Sequence, residues 1–364
     1  MASAAAQIVA GPSVTTRAKH RLPLGTLNQS SKSRKTSKRH GPSRFKVYAD
    51  QPEAAAEGCE AAAAAAIAQP DGAVGAVVVD GVVDAEALPP GVIDLHQRHS
   101  GDPFLVADYA DEIYHYLRTR EEALAVDPDF LKKQSKITAK NLAVLNDWLV
   151  QVHYKFELQI ETLYITNAIL LRYLSRVDIP RNRLQLFGVT AMLLASKYED
   201  MYPPVVRDFA YITANAYSAK QIIAAEIDML KELEFSLEQP LPLHFLERYV
   251  QVTGVDPVTH EIAKYLLELC LVHGSMIRFL PSQQALAALS FAHTIKDKKS
   301  IWDPSVEFYS GFTQEDIAPV ERAMAEILRQ SKVSDLQAVP KKYKRGDYFG
   351  IANRSDVARY VIEP

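Results

Sequence analysis

Cysteine is almost missing from this chain. There are two in 364 residues, Cys59 and Cys270, far apart and in no CxxC pattern. That spacing supports no disulfide framework, zinc finger or iron–sulfur site. No stretch approaches the roughly 18 uncharged apolar residues of a membrane-spanning helix. Ser-Pro and Thr-Pro do not occur, so proline-directed phosphorylation is not expected. GxSxG, HExxH, a P-loop and a Gly-rich dinucleotide turn are absent too. No catalytic residue, metal ligand or cofactor is therefore assigned.

What is present is unevenly charged. The first 49 residues hold ten Lys or Arg and no Asp or Glu, leaving 31 basic against 44 acidic groups in the remainder. A basic tail joined to an acidic body is two objects with different physics. The tail around Lys32–Arg39 has no apolar period and cannot bury enough surface to offset its chain entropy. An alanine-rich run, Ala54–Ala68, and a Gly/Val/Asp stretch ending at Pro89-Pro90 follow. Residues 1–95 are read as disordered, with order beginning near Asp102.

From there the apolar period is helical. Leu105, Tyr109, Ile113 and Leu117 form one stripe. Further helices are expected at 141–156, 161–175, 184–198 and 218–233. Pro240 and Pro242 break the chain, and helices at 243–252, 260–272, 282–295 and 313–328 follow. The segment 184–198 is apolar nearly all round and is expected at the centre of its bundle. Residues 208–233 resemble 305–328, with Glu226 aligned to Glu321, which suggests two all-α modules of about 100 residues. Lys197 and Glu226 each place a charge on an apolar helix face. Either they pair internally, with Lys197 snorkelling, or a partner satisfies them.

The segments "NLAVLNDWLVQVHYKFEL", "LLASKYEDMYPP" followed by "FAYIT", and "EFSLEQPLPLHFLERY" resemble the cyclin family, specifically its mitotic, G2/mitotic-specific B type. The resemblance runs from Asp102 to Leu328. It implies an all-α fold of two tandem five-helix cyclin boxes behind an N-terminal helix and a long disordered tail. The boundaries expected are 1–95 for the tail, 96–238 for the first box with its N-terminal helix, 239–335 for the second box, and 336–364 for a basic extension. It further implies no enzyme activity of its own, a cyclin-dependent kinase as partner, and removal by ubiquitin-directed proteolysis after driving the G2/M transition. An A-type cyclin of S/G2 and a cyclin-fold transcription factor are the other readings. The second needs a basic body to attract phosphate, and this body is acidic.

Carried onto this sequence, the resemblance makes Lys197, Glu226, Leu194, Tyr198, Leu230, Phe235 and Leu237 the kinase-binding residues. Val144, Leu145, Trp148 and Gln185 match a groove that docks Arg-x-Leu substrates, with Asn141 standing where Met is usual. Two leucines, Leu142 and Leu171, replace an Arg–Asp pair of the family, and a leucine–leucine contact is expected there. In the tail, Arg21, Leu24, Gly25, Leu27 and Asn28 resemble a destruction box read by a ubiquitin ligase, with Lys32, Lys35 and Lys38 as acceptors. Lys32–Arg39 reads as a nuclear import signal or a solvated linker, and the first 50 residues also resemble a transit peptide. The cyclin-like body favours nucleus and cytoplasm, with neither nucleic acid nor membrane as partner.

Overall fold

The structure is a computed structural model that describes residues 88–297 and 299–362. The destruction-box-like segment and the basic cluster lie outside the described residues. Within them every long element is a helix. The first group is α1 (Leu95–His99), α2 (Ala110–Ala123), α3 (Ala139–Phe156), α4 (Ile160–Arg176), α5 (Leu184–Glu199), α6 (Val206–Ile212) and α7 (Ala219–Glu232). The second is α8 (Pro242–Thr253), α9 (Pro257–Val272), α10 (Pro281–Asp297), α11 (Pro304–Ser310) and α12 (Gln314–Gln330), followed by α13 (Ala338–Tyr343) and α14 (Ser355–Ile362).

Local chemistry sets these limits. Thr138 caps α3 and, with Asn141, closes a reciprocal capping box, which gives Asn141 a local role at the helix start. Asp256 and Asp303 cap α9 and α11, and Pro257 and Pro304 occupy the first helical turn, where a missing N–H costs nothing. Helices α3–α7 and α8–α12 form two bundles of five. Each is built round its third member: α5 packs on α3, α4, α6 and α7, and α10 on α8, α9 and α12. Every residue from Leu186 to Ser196 is buried, so the helix apolar all round does fill the centre. The internal repeat is structural as well. Ser218 with Gln221 and Thr313 with Asp316 form equivalent capping boxes, 95 residues apart.

Two expectations are corrected. The fold is under way before Asp102: Leu95 is buried, Ile93 N–H donates to Ser305 Oγ at 3.0 Å, and Tyr309 OH donates to the Ile93 carbonyl at 2.8 Å. The N-terminal helix α2 also makes many of its bonds with the second box rather than the first. Tyr114 OH donates to the His244 carbonyl, Arg248 pairs with Asp111 at 2.6 Å, and Ser282 donates through both N–H and Oγ to buried Glu121. Glu121 thus sits at the N-terminus of α10, where the helix dipole favours an anion. Of the expected stripe, Tyr109 and Ile113 are exposed, while Leu105 and Leu117 are half-buried. Polar anchors fix α2's rotation here, and its apolar pattern does not.

The basic segment after Leu336, without legible period, is a latch. Helix α13 packs on α3 and α9, and α14 on α10 and α12. Lys342 Nζ meets the Glu268 carboxylate at 2.7 Å with both side chains buried, Tyr343 OH donates to the same group at 3.1 Å, and Ala338 N–H donates to Asp147 Oδ1 at 2.8 Å. Helices of six and eight residues are shorter than the stretch over which a helical period can be told from chance. Leu142 and Leu171 are both buried and line one cavity of about 140 Å³.

Candidate protein-interaction surface

The charged pair defines the site. Burial along α5 ends abruptly after Ser196, so Lys197, Tyr198 and Glu199 emerge from the bundle. Glu226 lies on α7, which packs against α5. Lys197 Nζ donates to Glu226 Oε1 at 2.5 Å, with the lysine side chain 46% exposed and the glutamate 11%. The internal pairing anticipated from spacing is therefore formed. An anion largely out of water is kept next to a cation that still reaches solvent, so the cation can swing to another acceptor at little desolvation cost.

Around this pair lies apolar surface. Tyr198 is 53% exposed and Phe235 69%. Phe235 is held out by its backbone. Glu234 and Phe235 both adopt left-handed φ, 54° and 59°, and Phe235 N–H donates to the Leu230 carbonyl at 2.9 Å, as in a Schellman ending. Two consecutive non-glycine residues in that region are strained, and such strain collects at sites of function. Leu230 and Leu237 are half-buried beside the core. Ile223 and Ile227 on α7, and Met201 and Tyr202 beyond α5, are also exposed, and the sequence reading missed all four. The signal was there: Ile222 and Ile223 point to different sides of α7, too many apolar residues for one buried stripe.

Two assigned residues are core. Leu194 is 3% exposed, in the unbroken buried run of α5. Leu145 is 6% exposed and is packed where a Cβ on Gly188 would approach its Cδ1 to 2.9 Å, so the small residue lets α3 and α5 close onto it. Leu194 is thus no surface contact, and Leu145 no groove wall. Of the remaining groove residues, Val144 is exposed, while Trp148 and Gln185 are half-buried, with Gln185 Oε1 lacking a hydrogen-bond partner.

The second box lacks this arrangement. Glu321, the counterpart of Glu226, is engaged with Ser290 and pushed above the usual carboxylate range by desolvation. Among the described residues, only the first box presents the pair.

Comparison with known proteins agrees with this architecture. The model of the cyclin N-terminal domain matches residues 112–238, and that of the cyclin C-terminal domain matches 240–356. G2/mitotic-specific cyclin-B of Patella vulgata is 43% identical over 271 residues, 74% of this chain and 66% of that protein. The cyclin-B of Marthasterias glacialis is 39% identical over 278 residues, 76% and 71% of the two chains. Cyclin-B2 of Gallus gallus is 39% identical over 281 residues, 77% and 70%. The chain thus spans about two thirds of the length of these relatives. The solved viral cyclin of herpesvirus saimiri superposes with a TM-score of 0.55 at 20% identity, covering 62% of this chain and 98% of that one, a likeness of fold alone. With both domain models matched in tandem and relatives near 40% identity across the helical body, the chain belongs to the cyclin family and resembles its mitotic B-type members.

Proposed function

We propose that this chain is the regulatory subunit of a cyclin-dependent Ser/Thr protein kinase, that it drives the G2/M transition, and that the kinase docks on the α5–α7 surface. The observation that carries the reading is Phe235, an aromatic side chain held out to solvent on strained backbone beside a pair whose anion is nearly buried. A monomer gains nothing from that display, whereas an interface does. Tyr198, Leu230, Phe235 and Leu237 supply apolar area. Lys197 and Glu226 then exchange their mutual bond for backbone groups of the partner.

The effect on the kinase is a population shift. Its regulatory helix carries a Glu that pairs with a strand Lys only in the inward position. A surface that fits the inward helix shifts the equilibrium by its differential affinity for the two states. No nucleophile or acid is required of the cyclin. Val144, Trp148 and Gln185 remain as a reduced docking patch for Arg-x-Leu substrates. The segment Arg21–Asn28 serves ubiquitin-directed removal, and the protein works in nucleus and cytoplasm.

The test is histone kinase activity on mixing the full chain with a monomeric cyclin-dependent kinase. Activation is expected from the wild type, with at least a tenfold loss on combining Lys197→Ala with Glu226→Ala. Undiminished complex formation by that double variant would overturn the surface. Failure of the wild type to activate any of several such kinases would overturn the function.

A further inference from the structure

The outer side of α3 carries charge of one sign. Lys140, Val144, Trp148, Gln151 and Lys155 follow one another at spacings of four and three, so they share a stripe about 22 Å long. Lys140 and Lys155 are exposed at its two ends, with exposed Val144 and half-buried Trp148 and Gln151 between them. Helix α13 packs on α3 beside it, and residues 338–345 add exposed Lys341, Lys344 and Arg345 without an acid. The Arg345 guanidinium lies 5.1 Å over the ring of Tyr154, next to Lys155 in α3.

One carboxylate belongs to α3, and it is spent. Asp147 is 8% exposed, accepts from Ala338 N–H at 2.8 Å and from Gln151 Nε2 at 3.0 Å, and has the charge of Lys341 close by. Among the described residues Arg345 has an ion-pair partner, Asp347 at 3.7 Å, whereas Lys140, Lys155, Lys341 and Lys344 have none. This is the reverse of the body at large, in which acidic groups outnumber basic ones.

We propose that this stripe selects acidic docking segments: an extended peptide that seats one apolar side chain on Val144 and Trp148 and places Asp or Glu on either side of it. The inference rests on the docking-patch reading above and assigns the charge of what docks there. A stripe of about 22 Å spans roughly seven extended residues, so the end lysines meet side chains three or four places from the anchor. The apolar contact supplies affinity and the charges supply selection. Exposed ion pairs are individually weak, so several together give a preference of a few-fold and not an exclusion. The arginine of an Arg-x-Leu segment finds no free anion on this helix and is repelled by both lysines.

The test uses the full chain without any kinase, so its outcome is independent of the kinase-docking surface. Three labelled peptides of about seven residues with a central leucine are titrated by fluorescence polarisation. The first is flanked by glutamates, the second by glutamines, and the third carries arginine two places before the leucine. The glutamate peptide is expected to bind about fivefold tighter than the glutamine peptide, and the arginine peptide weakest. The preference should shrink as salt rises, since exposed charges are screened. Combining Lys140→Gln with Lys155→Gln should weaken the glutamate peptide about threefold and leave the glutamine peptide unchanged. Equal or tighter binding of the arginine peptide, or unchanged affinity of the glutamate peptide for the double variant, would overturn the charge selection and leave the docking patch standing. Binding of none of the three would overturn the patch and the selection together.

Discussion

Phe235 and Leu194 were assigned the same role from sequence, and the structure separates them. Phe235 makes little of the fold, so Phe235→Ala should change stability by no more than about 0.5 kcal/mol while weakening kinase binding by about 2 kcal/mol, some thirtyfold. Leu194→Ala should instead cost about 2–5 kcal/mol of stability through its cavity. Urea unfolding beside a binding titration distinguishes the two. Leu171→Asp places a carboxylate on a buried wall with no free cation, and should lower stability by about 3 kcal/mol or more at pH 7; a wild-type urea midpoint would contradict it. His153 is buried too. Its Nε2 lies 2.8 Å from the Gln159 carbonyl, and burial, aided by Lys342, pulls its pKa down to about 4. The unfolded imidazole takes a proton near pH 6.5 while the folded one stays neutral. Stability from this group is therefore full above pH 6.5 and is lost as pH falls towards about 4, by roughly 3 kcal/mol at most. Burial lowers His244 and His273 in the same direction. Comparison of His153→Gln with wild type at pH 7.5 and 5.5 should show a shallower loss in the variant.

At the scale of elements, the C-terminal latch makes the clearest prediction. Lys342 and Glu268 are 74 residues apart in the chain and almost wholly buried together. Lys342→Met leaves Glu268 unpaired in the interior, where Tyr343 alone donates to it, and should destabilise by about 3–5 kcal/mol. Pairing Lys342→Met with Glu268→Leu should recover much of that loss, as measured by thermal unfolding. The same region shows why legibility differed along the chain. Helices α5 and α10 were evident because 16 or 17 residues rich in Ala and Leu lie between Pro-marked breaks. Helices α13 and α14 carry one or two turns each, and only their partners on α3, α9, α10 and α12 reveal what they do. Leu145 and Val144 show the same limit within one helix. They are neighbours in α3 and point to different sides of it: Leu145 is buried over Gly188, where α5 comes close, and Val144 is exposed.

At the scale of the molecule, two equivalent bundles have unequal surfaces. The repeat preserved the capping boxes and the central helix. It did not preserve the Lys197–Glu226 pair: Glu321, the counterpart of Glu226, bonds Ser290 instead. One kinase per chain is therefore expected, docked on the first box, and sedimentation of the mixed proteins should give a one-to-one complex. The strap from Ile93 to α2 ties this arrangement together, because residues that precede the first box in sequence are bonded to the second.

What the sequence by itself determined is local and repeated: helical periodicity, capping residues, the break at Pro240 and Pro242, and the 95-residue repeat. These depend on groups within about four residues of one another, so they can be read in order along the chain. The tertiary structure alone decided which apolar face became core, how α2 was turned, and where the C-terminal segment latched. Each of those depends on which distant side chains share a volume, and burial energy is settled there, not along the chain.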